Sequence, residues 1–147
     1  MIETEDVQLA VRDRLLDLSG LPAAFAWEAK KFTPVTGAGF IQEQYESGVM
    51  EQVGVGPGGH MHGRPILRLY PHAPLNSGLL VRRWADILLA GFPPGLIIPL
   101  SGADTLEVRG APAAPSAPGP IGRSLEYDGF VTMLVTIPFW LETFAPI

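Results

Sequence analysis

Val7, Val11, Leu15 and Leu18 recur at three- and four-residue intervals, which predicts a helix from an N-cap at Thr4 to about Leu18. Glu5 and Asp6 fall in its first turn, where carboxylates complement the helix dipole. Arg12, Asp13 and Asp17 lie elsewhere on the wheel and are expected in solvent, and Gly20 and Pro22 end the helix. Leu80, Trp84, Ile87 and Leu88 predict a second helix from Asn76 or Ser77 to about Ala90, stopped by Gly91, with Arg82, Arg83 and Asp86 outward.

Between these helices, Pro22 to Gly39 has no clean period and reads as an extended, packed connection carrying Phe25, Trp27 and Phe32. Alternation predicts strands at Phe40 to Glu46, Val49 to Val55 and Arg64 to Tyr70, the last two closing a hairpin around the glycine-rich tip 56–63. After the second helix, strands are expected at Leu96 to Leu100, Thr105 to Arg109 and Leu125 to Phe139, with a Pro/Ala loop at 110–120. The fold class is therefore α+β: a largely antiparallel or mixed sheet, two helices packed on one face, order α-β-β-β-α-β-β-β.

A chain of 147 residues fits a single domain, 1–147, with long loops at 56–63 and 110–120. A net charge of -5 lacks the basic footprint that phosphate neutralisation needs, so DNA is not expected as a direct ligand. The absence of cysteine removes thiolate nucleophiles and sulfur-ligated zinc sites and fits a reducing cytoplasm. The N-terminus is acidic where a secretory signal is basic, and no apolar run reaches the roughly 20 residues of a membrane span.

Candidate chemistry is thin. Gly54-Val55-Gly56-Pro57-Gly58-Gly59 invites a phosphate loop, but no Gly-Lys-Ser/Thr follows it and it lies in a hairpin. His60, His62 and His72 could approach one metal, yet the first two sit in a predicted loop without an obvious carboxylate partner, and solvated or interface histidines are the simpler reading. No serine occupies a Gly-x-Ser-x-Gly elbow, and Glu43, Glu46 and Glu51 read as solvated residues on strands. No catalytic residue, cofactor or metal is assigned.

Several short segments together carry a resemblance. They are Trp27, Phe32-Thr33-Pro34, Phe40-Ile41-Gln42-Glu43, the stretch from Gly48 to Val55, and Gly63-Arg64-Pro65-Ile66-Leu67-Arg68-Leu69-Tyr70. Trp84-Ala85-Asp86-Ile87-Leu88-Leu89-Ala90-Gly91-Phe92 and a late strand such as Phe130 to Ile137 complete the set. In this order they resemble the phage tail terminator family, the gpU-like minor tail proteins of long-tailed phages. The resemblance implies a non-enzymatic virion protein, made in the host cytoplasm. It implies a ring, typically a hexamer, at the head-proximal end of the tail tube, where it ends tube polymerisation and joins the tail to the head connector.

Its implied partners are further copies of itself, the tail tube protein and a head connector or stopper protein, with DNA only passing through the ring and no membrane. Phe32, Phe40, His60, Met61, His62, Arg82 and Arg83 are the candidate subunit or tube interface residues. The tip 56–63 and the 110–120 loop depart from what can be matched to the family. A neck or stopper protein is the nearest alternative. A small histidine-based metal-binding domain and an unrelated bacterial binding domain are the others, and the last of these predicts a stable monomer.

Overall fold

The computed structural model describes residues 4–52, 60–109 and 121–144. Helix α1 (Thr4–Asp17) leads into β1 (Ala24–Ala26), β2 (Phe40–Glu46), β3 (Met50–Gln52), β4 (His60–Gly63) and β5 (Ile66–Pro74). Helix α2 (Gly78–Gly91) follows, then β6 (Ile97–Pro99), β7 (Thr105–Val108), β8 (Gly122–Arg123), β9 (Phe130–Thr132) and β10 (Val135–Phe144). The ten strands among the described residues join one sheet with the main order β1-β2-β5-β10-β4-β3; β6 and β7 extend from β10, and β8 and β9 from β5. β1 runs parallel to β2, and the other pairings among the described residues are antiparallel. The α+β class expected from the sequence is what the structure has.

β10 organises the sheet. Its first half pairs Val135 to Pro138 with Leu69 to Ile66 of β5, and its second half pairs Leu141 to Phe144 with Gly63 to His60 of β4. β4 and β5 are thus one strand interrupted at Arg64-Pro65. Proline has no N–H to donate to a ladder, and at the break the Pro65 carbonyl instead accepts from the Phe139 amide at 2.9 Å. Facing it, β2 and β3 are interrupted at Gly48, whose φ is +71° and whose missing side chain leaves room for the Arg64 carbonyl.

Alternation along β10 sends Val135, Ile137, Phe139 and Leu141 to one face, where Ile41, Leu67, Leu69 and the helices bury them. Val7, Val11 and Leu15 of α1 and Val81, Trp84, Ala85 and Leu88 of α2 enter this same core. Both helices therefore lie on the inner face. Arg82, Arg83 and Asp86 are exposed, as the helical pattern requires. A second, smaller cluster on the outer face joins Ala26, Phe40 and Phe130, with Phe32 and Tyr127 packed against it.

Several boundaries differ from the sequence reading. The connection 22–39 contains β1, recruited by parallel pairing to β2. Of the expected tip 56–63, residues 56–59 lie outside the described residues, as does the 110–120 loop; His60–Gly63 is strand, paired on both sides by β3 and β10. The hairpin partner of β3 is β4, because β5 pairs with β2. The last long strand begins at Val135 rather than Leu125: Leu125 is fully exposed, and Gly129, at φ +86°, turns the chain before β9. It ends at Phe144 rather than Phe139, where Asp104 accepts the Phe144 amide at 2.8 Å.

Glu43 is a further correction. Its place in the alternation is the inner face, with Ile41 and Tyr45, and it is 3% exposed. Arg12 makes this tolerable: its Nε lies 3.0 and 3.1 Å from the two carboxylate oxygens and its Nη2 2.6 Å from one. The guanidinium also sits 4.9 Å above the Trp27 ring, so Arg12 is not in solvent as its wheel position suggested. Glu28 completes the set by accepting from the Tyr45 amide and the Gln8 side chain.

Candidate assembly surface

Residues of β10 that alternate with the core positions point to the outer face, and in its second half these are Trp140, Glu142 and Phe144. Neighbouring strands place His62 and His60 of β4 and Glu107 of β7 beside them. His62 stacks on Trp140 at 4.4 Å and His60 on Phe144 at 4.5 Å. Two guanidiniums also approach the Trp140 ring, Arg109 at 4.5 Å and Arg64 at 5.4 Å. An aromatic surface flanked by cations results, since the electron-rich indole face attracts each of them.

Acidic groups bound this surface without covering it. Trp140 Nε1 donates to Glu142 at 3.1 Å, Arg109 pairs with Glu107 at 3.0 Å, and His62 lies 3.2 Å from Glu51. Beside Trp140 opens a groove of about 520 Å³, lined by Arg64, Pro65, Ile66, Arg109, Pro138 and Phe139 as well as the indole. Proline at 65 and 138 gives part of the lining without a free backbone donor, so the floor is apolar and the rim cationic.

The other end of the outer face is built differently. His72 is 1% exposed, stacks on Phe40 at 4.4 Å, and is edged by Tyr127 and Phe130. Its Nδ1 donates to the Tyr70 carbonyl at 2.8 Å, which leaves Nε2 to accept from the Ser124 hydroxyl at 3.0 Å. Burial lowers the His72 pKa and so favours this neutral form. Although the atoms are those of a Ser–His dyad, the imidazole is enclosed by aromatic rings, and Ser124 Oγ also accepts from the Tyr127 amide. The pair ties the 121–132 segment to the sheet.

The seven sequence candidates separate. His60 and His62 share the outer face of β4, while Met61 alternates to the opposite side, so the three do not form one loop tip. Phe40, 1% exposed, lies inside the protomer and has no surface to offer; Phe32 is half-buried against it at 4.7 Å. Arg82 and Arg83 are exposed on α2, across the sheet from the histidines. His72 lies at the far end of the β4–β5 strand from His60. Among the described residues, no three His, Asp or Glu side chains converge as a metal site.

Sequence reasoning missed Arg64 and Arg109 and reads Trp140 simply as a core aromatic, whereas it stands half-buried on the outer face of β10. A signal was present: from Pro138 to Phe144, both alternating sets include large apolar residues, the mark of a strand with apolar side chains on both faces.

Comparison with known proteins gives a family match: the model of a family described as phage tail terminator protein matches residues 6–139. No curated protein matches the chain. One solved structure superposes over 100% of both chains with a TM-score of 0.59 at 19% identity, a likeness of fold.

Proposed function

The chain belongs to a phage tail terminator family, and from that premise we propose that it forms a ring at the head-proximal end of a tail tube. Membership makes it a structural protein of the phage tail that works with other tail and head proteins. In the proposed role the ring ends tube polymerisation with one face and offers the other to a head connector, without catalysing a reaction. The observation that carries this reading is the extent of the family match, which takes in nearly all of α1, the whole of α2 and the sheet as far as Phe139 in β10.

The surface chemistry supports it. Trp140, Arg64 and Arg109 form an open, apolar and cationic face of the kind that protein interfaces favour, where aromatic residues and arginine are enriched. Among the described residues, no helix is long and apolar enough to cross a membrane.

Native mass by light scattering, alone and with the cognate tail tube protein, tests the proposal. Six chains of 15.8 kDa give a particle of about 95 kDa. The expected result is that particle, free or capping tubes, with tube length limited when the protein is added during polymerisation and imaged by negative stain. A monomer that leaves tube length unchanged would overturn it.

A further inference from the structure

The charges on α1 are sorted by face. Arg12 turns inward to Glu43, and Arg14 donates to the Gly91 carbonyl at 3.0 Å, so both arginines of the helix are engaged by the protein itself. Glu5, Leu9, Asp13, Leu16 and Asp17 fall within about 120° of one another at 100° per residue. All five are exposed, Leu9 at 48% and Leu16 at 59%. None of the three carboxylates joins an ion pair among the described residues. The helix thus presents two leucines among three carboxylates.

The Trp140 groove has the complementary character, an apolar floor between the exposed guanidiniums of Arg64 and Arg109, the second of which is shared with Glu107 of its own strand edge. Arg64 has no carboxylate partner among the described residues. The two surfaces lie on opposite sides of the sheet, α1 on the inner face and the groove on the outer, so within one protomer they cannot meet. Opposed, unlike and complementary patches are what a heterologous, head-to-tail contact uses.

We propose that the Trp140 groove receives the outer face of α1 from a second copy of this chain, with Leu9 and Leu16 against the indole and prolines and with Asp13 and Asp17 facing Arg64 and Arg109. This contact rests on the ring reading above and names the surfaces that close the ring. Charge at the rim selects the partner face: glutamates at 64 and 109 would set an acidic groove against the acidic helix, and lysines at 13 and 17 a basic helix against the basic groove, and either arrangement repels.

Two charge-reversed proteins test the contact, Arg64→Glu/Arg109→Glu and Asp13→Lys/Asp17→Lys, compared with the unaltered chain by sedimentation at several concentrations. All four positions are exposed, and circular dichroism checks that each variant is folded. Either variant alone should need at least roughly tenfold more protein to assemble. Mixed in equal amounts they should assemble again, since each then offers the face the other requires.

The milder Arg64→Glu and Asp13→Lys singles carry the same expectation should a double variant misfold. Rings from the unaltered chain that persist in both variants would overturn this contact and leave the ring reading intact. An unaltered chain that stays monomeric, alone and with tail tubes, would overturn both.

Discussion

Arg12 and Glu43 sit 31 residues apart in sequence, and that separation is why the pair could not be read from the chain. On a strand whose neighbours are Gln42 and Gln44, a glutamate reads as solvated; only the approach of α1 makes its inward position tenable. With side-chain exposures of 17% and 1%, removing either partner strands a charge. Arg12→Ala or Glu43→Ala should each lose about 3–5 kcal/mol in urea unfolding, whereas Arg12→Met/Glu43→Leu should lose much less, because no charge remains to desolvate. Equal losses in all three would assign the effect to packing. His72 gives a pH-dependent counterpart. Its folded pKa lies below the ordinary 6.5, so above pH 6.5 both folded and unfolded chains hold it neutral and its contribution is complete. As pH falls below 6.5 the unfolded chain gains a proton that the folded chain resists, and stability declines until the folded value is reached, by at most about 1.4 kcal/mol per pH unit. Denaturation midpoints across that range should show the decline and His72→Gln should flatten it.

The sheet's interruption at Gly48 and Pro65 is an element-scale feature with its own test. Gly48→Ala must hold a left-handed backbone, costing roughly 1–2 kcal/mol, and brings a Cβ to 2.7 Å from the Arg64 carbonyl. Gly102 has a similar φ of +63° but nothing within 4 Å, so Gly102→Ala carries the backbone cost alone. Gly48→Ala should therefore be the more destabilising in parallel thermal melts, and equality would mean that the β2–β3 junction relaxes. Both helices were legible because a 3.6-residue stripe such as Val7, Val11 and Leu15 is local information. Strand β2 was equally clear. What alternation could not give was partnership: β1 is a strand only through β2, and β4 is held between β3 and β10 although its residues, His60-Met61-His62-Gly63, have weak strand preference. The candidate surface inherits that limit, since Trp140, Arg64 and Arg109 come from segments that only strand pairing brings together.

At the scale of the whole molecule, assembly and folding separate in a measurable way. Each protomer buries its own core, with Val11, Leu15, Leu67, Leu69, Leu88 and Ile137 fully enclosed, so a dissociated chain is expected to keep its structure. The surfaces assigned to the ring contact are exposed in the protomer and add stability only by mass action, which grows with concentration. Thermal melting of the unaltered chain should thus shift upward as protein concentration is raised, while Arg64→Glu/Arg109→Glu melts at one temperature throughout. That temperature should equal the dilute limit of the unaltered chain, because the substituted arginines lie outside the core. A constant melting temperature for both would mean that chains unfold without prior association. A variant that melts below the dilute limit would mean instead that Arg64 and Arg109, through their contacts with Trp140, also hold the distal sheet together within one protomer.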